Sequence, residues 1–433
     1  MPRILVFPCA NGVGQEIYFA LRYIKDMELY GANDGNTNIG HFLYSNYISD
    51  MPAAGGESIK EFLKQVIRFH GIQFIIPTSG EAQIAAHNAQ TAAIVVASPL
   101  ITTGICQSKK AIYELCGKGG IRVPEIYADI DESSVRFPVY VKPDKGGEQR
   151  RMFSLVNSKT ELARLPQGHV ITEYLPGEEF TVDCLTDTHG KLLFYGARRR
   201  TLTHAGVSIL NETIDRSIFE AFTARVNAQM RFVGAWFLQC IYDRHGQLCL
   251  VDVNPRIAGA MSIYRNLGVN FPLVAMYIHM NKKPVDILWM DIPAKCAKIY
   301  HNHLECPSLE YDTVCVDLDE TLILQDGRVN HRLIGFLYKS MNEGKRIYLI
   351  TRHRGDVQDT LASKRIHAQL FDKIVQLPQG PNKGDYMPPR SILIDDSFRE
   401  RKKVKDAHPS VYVFDVDALD MLVNSCPRNF LAS

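Results

Sequence analysis

Leu250-Val-Asp252-Val-Asn254-Pro-Arg256 is an apolar strand that ends by delivering a carboxylate and a carboxamide. Side chains alternate along a strand, so Asp252 and Asn254 project from one face. Gln239, within the preceding strand-like run Trp236 to Tyr242, offers a third oxygen. Hard oxygen donors of this kind are what Mg²⁺ on nucleotide phosphates accepts. Upstream, Val139-Tyr-Val-Lys142-Pro-Asp-Lys-Gly146-Gly147 ends a strand on a lysine and passes into a glycine loop. That arrangement sets one ammonium and several backbone N–H groups against a polyphosphate. Between the two stretches, Glu173-Tyr-Leu175-Pro-Gly-Glu178-Glu179 joins the strands Val170 to Tyr174 and Phe180 to Leu185 through a turn with acids at both ends. Such acids suit hydrogen bonding to a nucleoside. With a helix over Lys109 to Cys116 and further strands at Leu192 to Gly196 and Leu248 to Val253, the region from about Leu100 to Val285 reads as α+β.

Toward the N-terminus the rhythm changes. Short β-rich runs (Ile4 to Phe7, Phe74 to Ile76, Ile94 to Ala97) alternate with helical patterns (Gln15 to Met27, Ile59 to Phe69), which indicates parallel βαβ units. Asn11-Gly-Val-Gly14-Gln15-Glu16 follows the first strand where dinucleotide-binding folds place three glycines. Only two are present, and a tight strand-to-helix turn alone wants two.

Toward the C-terminus, Asp286 to Ser308 is aperiodic, carries Pro293 and Pro307, and reads as a connector. A fresh βαβ rhythm follows from Tyr311, with strands at Val314 to Val316, Ile347 to Ile350, Ser391 to Ile394 and Val411 to Phe414, and helices at Leu333 to Asn342 and Val357 to Ala362. Val314-Cys-Val-Asp317-Leu-Asp319-Glu-Thr321 releases two carboxylates at the carboxyl end of its strand, the edge where open α/β sheets bind ligands. One can attack while its neighbour handles a proton. Thr351 ends a second strand, Lys383 stands further on, and Asp395-Asp396 ends a third. Three acids offset by a cation and a lysine, with a threonine donating to a phosphoryl oxygen, make a Mg²⁺-assisted phosphoryl-transfer site.

The central elements resemble the ATP-grasp superfamily, with the single ATP-binding modules of carbamoyl phosphate synthetase and its carboxylate-amine ligase relatives as the nearest likeness, over about the first 280 residues. The resemblance implies that Lys109 and Lys142 contact phosphates and that Gly146 and Gly147 form the phosphate loop. It implies that Glu173 and the Leu175 backbone read adenine, that Glu179 reads the ribose, and that Gln239, Asp252 and Asn254 hold Mg²⁺. Arg256 would stabilise an acyl phosphate or transferred phosphoryl group, and His204 would be a further phosphate-facing residue. The sequence departs from the pattern at Asp252, where a glutamate is more usual, and in a short, basic glycine loop with Arg150 and Arg151. Carbamoyl phosphate synthesis requires two such modules, and this chain has one.

The last 120 residues or so resemble the haloacid dehalogenase-like phosphatases, through Asp-x-Asp-x-Thr, strand-end Thr, Lys and Asp-Asp in the family's order. By that likeness Asp317 is the nucleophile and Asp319 the general acid and base. Asp317, the Asp319 carbonyl, Asp395 and Asp396 are the Mg²⁺ ligands. Roughly thirty residues lie between Thr321 and Thr351, and again between Thr351 and Lys383, too few for a large cap domain.

Three other features have a plain reading. Arg198-Arg199-Arg200 is either a solvated charged strand or a binder of substrate carboxylate or phosphate. His301-Asn-His303-Leu-Glu-Cys306 lacks the partners of a zinc site, and Trp236 and Phe237 read as core.

Composition bounds the rest. With 433 residues the chain needs two or three domains. Its 49 Lys and Arg against 47 Asp and Glu leave +2, which argues against nucleic acid or an anionic membrane as partner. No apolar run approaches the ~18 residues of a membrane span, and Pro8 cuts the first apolar run too short for a signal peptide. Ten cysteines without a Cys-x-x-Cys pair favour reduced thiols and a cytoplasmic location.

The sequence thus predicts a multidomain protein mixing α/β and α+β folds. Its expected parts are a Rossmann-like pre-ATP-grasp domain (1–100), an ATP-grasp domain (101–290), a connector (291–308) and a HAD-like domain without a large cap (309–433). The expected chemistry is ATP-dependent, Mg²⁺-assisted joining of a carboxylate to an amine, together with phosphate-ester hydrolysis, in a chain whose candidate assembly is a homodimer. The alternatives are a ligase with a non-catalytic docking domain, an ATP sensor, and a nucleic-acid end phosphatase with an ATP-binding module.

Overall fold

The computed structural model describes residues 1–423 apart from 25, 36, 54–55, 128–134, 146–153, 163–168, 205–206, 282–285 and 299–308. The chain divides into two compact units, Met1–Ile299 and Tyr300–Ser433.

Unit 1 begins with five parallel strands, β1 (Arg3–Phe7), β2 (Glu28–Ala32), β3 (Asn46–Ile48), β4 (Phe74–Pro77) and β5 (Ile94–Val95), in the order β3-β2-β1-β4-β5. Strand β1 is apolar from Ile4 to Phe7 because both its faces are covered there. Ile4 and Val6 pack against Ile17, Ala20 and Leu21 of the helix Gly12–Leu21, while Leu5 and Phe7 pack against Leu63, Val66 and Ile67 of the helix Ser58–His70. The first helix starts at Gly12, not Gln15, and ends at Leu21, short of Met27. The Asn11 side chain caps it by accepting from the Val13 and Gly14 amides. A side chain at Gly14 would lie 2.1 Å from the Cys9 carbonyl oxygen, so the tight turn demands glycine there.

Two antiparallel sheets follow. The smaller holds β6 (Ile126–Tyr127), β7 (Val139–Pro143), β8 (Ser154–Val156) and β9 (His169–Glu173), in the order β6-β9-β7-β8. The larger holds β10 (Glu179–Thr186), β11 (Leu192–His204), β12 (Val207–Thr213), β13 (Gly234–Tyr242), β14 (Leu248–Asn254) and β15 (Lys295–Ala297), in the order β14-β13-β10-β11-β12-β15. One face of the larger sheet buries Val182, Trp236, Leu238 and Leu250 against the helices Lys109–Lys118 and Glu220–Gln229. The other face sends Leu185, Phe194 and Phe237 into the same core as Ile4 and Val6 of β1. Trp236 and Phe237 are accordingly core residues.

Strand β15 corrects the connector expected at 291–308. Leu210, Asn211 and Glu212 of β12 pair with Ala297, Cys296 and Lys295, so this part of the segment belongs to the sheet. Residues 301–306, and with them His301, His303 and Cys306, lie outside the described residues.

Unit 2 is a parallel sheet of β16 (Thr313–Val316), β17 (Arg346–Thr351), β18 (Lys373–Gln376), β19 (Ser391–Ile394) and β20 (Tyr412–Phe414), ordered β18-β17-β16-β19-β20. Val314, Val316, Leu349 and Ile392 meet Leu333, Phe336 and Leu337 of the helix His331–Asn342 on one face. Cys315, Ile350 and Leu393 meet Val404 of the helix Phe398–Ala407 on the other. The intervals around Thr351 are filled by the sheet's own elements. Among the described residues no helix is long and apolar enough to cross a membrane.

Candidate functional site

In unit 1, β7 carries Lys142 to the end of the smaller sheet, where its side chain is 5% exposed. Its ammonium donates to the Tyr113 hydroxyl (2.6 Å), which in turn donates to the Val251 carbonyl (2.8 Å). Burial, and then the charge of Lys109, push Lys142 down to about 8, against the pull of Asp252. Lys109 opens the helix Lys109–Lys118, and its Nζ lies 3.9 Å from Asp252 Oδ1. Asp144 fixes that helix end to the loop after β7: its carboxylate accepts from Ser108 Oγ (2.9 and 3.0 Å) and from the Lys110 amide (2.9 Å).

The paired strands β13 and β14 set Gln239 opposite Asp252 and Phe237 opposite Asn254. Asn254 Nδ2 donates to Asp252 Oδ2 (3.0 Å), and Gln239 Nε2 donates to Glu179 Oε1 (3.3 Å). Both amides thereby turn their NH₂ groups to protein partners. This leaves two carboxamide oxygens and Asp252 as hard donors, a set that fits Mg²⁺ carried chiefly by nucleotide phosphates. Arg256 has its guanidinium 5.3 Å from the Phe237 ring and donates to the Ile257 carbonyl (3.0 Å). Lys109, Lys142, Glu179, Gln239, Asp252 and Asn254 are therefore joined by direct contacts or mutual charge. Glu173 stands apart: its carboxylate accepts from Arg122 Nη2 (2.6 Å) and the Glu125 amide (2.9 Å). Leu175 is buried at the turn between the sheets. Gly146 and Gly147 lie outside the described residues.

Residues 166–297 match the family described as ATP-grasp in the biosynthetic pathway with Ter operon. Unit 1 carries an ATP-grasp domain. The matched interval includes Glu173, Glu179, Gln239, Asp252, Asn254 and Arg256, and leaves Lys109 and Lys142 outside it. Solved structures share the ATP-grasp fold at low identity. The biotin carboxylase domain of Hydrogenobacter thermophilus 2-oxoglutarate carboxylase, bound to MgADP, ADP and bicarbonate, gives a TM-score of 0.56 at 14% identity, over 65% of this chain and 70% of that one. Staphylococcus aureus N5-carboxyaminoimidazole synthetase with ADP gives 0.55 at 12%, over 69% and 82%. L-amino acid ligase from Bacillus licheniformis gives 0.53 at 16%, over 66% and 75%. No curated protein sequence matches the chain.

Within the ATP-grasp domain the arginine run divides into a buried ion pair at Arg198, a solvated side chain at Arg199 and a paired one at Arg200. Arg198 is buried and clasps Asp183 with two bonds (2.7 and 3.2 Å) while also donating to Asn211 (2.7 Å). Arg199 faces outward to Glu178 (3.3 Å) and Glu212 (3.9 Å), and Arg200 pairs with Glu179. The alternation of β11 separates them. The side chain of His204 lies outside the described residues.

Sequence reasoning missed Lys298, directly after β15. Its ammonium lies over Gly12 and Gly259, where an added Cβ would come within 3.4 and 2.8 Å. The nearby Glu16 is already clasped by Arg265 (2.7 and 3.2 Å). Burial lowers the proton affinity of Lys298, with Glu16 opposing. Two glycines thus make room for a partly buried cation beside the carboxyl end of β1.

In unit 2, Asp317 leaves β16 with its amide bonded to the Ile394 carbonyl (3.0 Å). Lys383 is 1% exposed and lies 2.6 Å from Asp395 Oδ2 and 3.0 Å from Asp317 Oδ1. The contact with Asp317 lacks hydrogen-bond geometry, so that buried oxygen has charge attraction but no donor. Burial pushes Asp395 up to about 6; Asp317 adds to this, and Lys383 and the Ser397 amide oppose it. Thr321 Oγ1 donates to Asp396 Oδ1 (2.9 Å) and accepts from the Asp396 amide (3.0 Å). Oxygens of Asp317, Asp395 and Asp396 lie within 4.8 Å of one another. A crowded acid set with an undonated oxygen fits a hard divalent cation. Thr351, fully buried, ends β17 and accepts from the His353 amide (3.2 Å). Asp319 has a half-exposed side chain, and both its oxygens lie against His353 Nδ1 (2.9 and 3.0 Å), a partner the sequence reading did not name.

Proposed function

We propose that the ATP-grasp unit is a carboxylate-amine ligase and that unit 2 is a phosphate monoesterase. The first reading rests on one observation: two lysines, one buried and held near 8, face a carboxylate flanked by two free carboxamide oxygens. A buried cation without a neutralising partner at hydrogen-bond distance is costly until a polyphosphate arrives. In this reading Lys109 and Lys142 hold the ATP phosphates, Glu173 and the Leu175 backbone take the adenine, and Glu179 takes the ribose. A carboxylate oxygen of the acid attacks the terminal phosphorus and ADP departs, leaving an acyl phosphate beside Arg256. An amine then attacks the acyl carbon, the C–O bond breaks, and phosphate leaves as the amide forms. Gln239, Asp252 and Asn254 would hold Mg²⁺, which supplies charge neutralisation along the phosphates. The L-amino acid ligase and N5-carboxyaminoimidazole synthetase among the similar structures support a ligase reading of the shared fold.

The second reading rests on the Asp317, Lys383, Asp395 and Asp396 cluster. Asp317 attacks the ester phosphorus, and the departing oxygen takes a proton from Asp319. Asp319 then takes a proton from water, which displaces phosphate from Asp317. Thr351, at the end of β17, and Lys383, at the start of the short 3₁₀ turn Lys383–Tyr386, would contact the phosphoryl group, and Asp317, Asp395, Asp396 and the Asp319 carbonyl would hold Mg²⁺ to screen its charge. The two activities serve one biosynthetic intermediate that carries a phosphate before or after ligation.

The deciding experiment is an ADP-release screen of carboxylates against amines with mass spectrometry of the products, run beside phosphate release from monoesters. Absence of ADP release with every pair would refute the ligase, and absence of phosphate release would refute the esterase.

A further inference from the structure

Asp319 stands on a loop between β16 and the helix His331–Asn342, with a half-exposed side chain. A carboxylate so placed has free torsions on its own, and an acid–base group that wanders loses rate. The loop is shaped locally by Glu320 at φ +57 and by a bridge between Asp319 and Ile323. The side chain itself is gripped from β17: His353, two residues past Thr351, brings Nδ1 to 2.9 and 3.0 Å from the two carboxylate oxygens. On the far side of the ring, Nε2 lies 2.8 Å from Thr360 Oγ1 on the helix Val357–Ser363. Gln376 Nε2 bonds the His353 and Gly355 carbonyls (2.8 Å each), tying the loop to the end of β18. A side chain at Gly355 would come within 3.0 Å of Nε2, so glycine leaves room for the ring.

Resting on the esterase reading of unit 2, we propose that His353 is the positioning residue of the acid–base Asp319, itself oriented by Thr360. The neutral ring satisfies every partner when Nδ1 carries the hydrogen. Nδ1–H donates to Asp319, and the Thr360 hydroxyl donates to Nε2. When Asp319 is ionised, its two oxygens share that N–H. When Asp319 is protonated, one oxygen keeps the N–H and the other carries the hydrogen toward the departing oxygen. His353 exchanges no proton in either half-reaction. It selects which oxygen of Asp319 is free to do so.

The test uses the full chain and two esters. Para-nitrophenyl phosphate has a leaving group that departs without a proton, and glycerol phosphate has one that needs it. His353→Ala should lower kcat for glycerol phosphate by ~10²-fold, the scale of lost acid–base catalysis, with KM unchanged. The phosphorylation burst from para-nitrophenyl phosphate should keep its wild-type rate, and phosphate should accumulate on Asp317 because breakdown also needs Asp319. His353→Asn places an N–H near the Nδ1 position and should recover at least about tenfold of that loss. Thr360→Val, which leaves the imidazole in place, should show a smaller loss of the same pattern, in glycerol phosphate turnover and in breakdown of the phosphoenzyme, with the para-nitrophenyl burst unchanged. Equal loss of burst and alkyl-ester turnover, no loss in either, or an Asn variant no better than Ala would overturn the positioning role. If the wild-type protein itself hydrolyses neither ester and traps no phosphate on Asp317, the esterase reading fails and takes this inference with it.

Discussion

Replacing Lys142 with methionine should make the protein more stable and inactive as a ligase. The side chain is nine-tenths or more buried, and in the folded chain it holds its proton at about 8 instead of 10.5. At about 1.4 kcal/mol per pH unit, keeping it charged costs the unliganded fold about 3 kcal/mol near neutrality. Against this stands its hydrogen bond to Tyr113, worth about 1 kcal/mol. Methionine fills similar space without the charge, so Lys142→Met should gain about 2 kcal/mol at neutral pH. Between 8 and 10.5 the unfolded wild-type chain holds more protons than the folded one. Wild-type stability therefore climbs with pH across that window, and its deficit against the variant is complete below it and gone above it. The assay is urea unfolding at neutral and alkaline pH, following the transition that MgATP shifts, since ligand linkage marks the ATP-grasp unit. ADP release should fall ~10²-fold or more, the typical cost of one lost transition-state contact. A variant less stable than wild type at neutral pH, or one that still releases ADP at the wild-type rate, would refute the argument that this lysine is held in an unfavourable place for a ligand's sake.

Other consequences are equally concrete. Asp252→Ala should abolish ADP release and spare phosphate-ester hydrolysis, whereas Asp317→Asn should do the reverse and lower phosphate release by ~10²-fold or more; measuring both activities in both variants checks the assignment. Asp395 is held at about 6, above its ordinary 3.8, so without a cation the folded chain loses stability as pH rises through that window. Mg²⁺ should therefore raise the melting temperature of unit 2 at about pH 7 and do little at about pH 5, where a proton occupies the carboxylate. Arg198→Met should destabilise the ATP-grasp unit by about 3–5 kcal/mol because Asp183 is left charged and buried. Adding Asp183→Leu should restore much of that, and an ATP dissociation constant altered in the double variant would show that the pair does more than hold strands together.

Period-two spacing made much of this arrangement legible. It put Asp252 beside Asn254, and unbroken apolar runs marked β1, β16 and β19 as doubly covered strands. Asp317 and Asp319 lie beyond the end of β16, where the alternation no longer applies, and Asp319 turns to His353. The same rule, applied to Thr351-Arg-His353, would have pointed to His353. Applied to Arg198-Arg199-Arg200, it would have separated a buried arginine from an exposed neighbour, but charge obscured the alternation. Strand β2 was hidden by Gly31, a residue that weakens a strand signal and is needed because a Cβ there would lie 2.5 Å from the Tyr44 ring. Strands β15 and β18 are short and carry Lys295 or Lys373 at their start, so pairing rather than propensity defines them. Lys298 left no pattern at all: its surroundings come from Gly12 and Gly259, distant in sequence.

Strand β15 also bears on how the ATP-grasp domain is made in the first place. A nascent chain that has reached the end of β14 still exposes the free edge of β12, and the three residues that cover it arrive only after the helix Phe271–His279 and the stretch leading to Lys295 have been synthesised. Until then the larger sheet offers unpaired amides and carbonyls to any passing extended segment. A polypeptide cut at residue 290 would keep Gln239, Asp252 and Asn254 yet expose that edge permanently, and it would be prone to stick to copies of itself. One cut after Lys298 would carry its own edge cover. The short strand behaves as a late clasp, and the point at which that edge is covered lies some forty residues beyond Asn254.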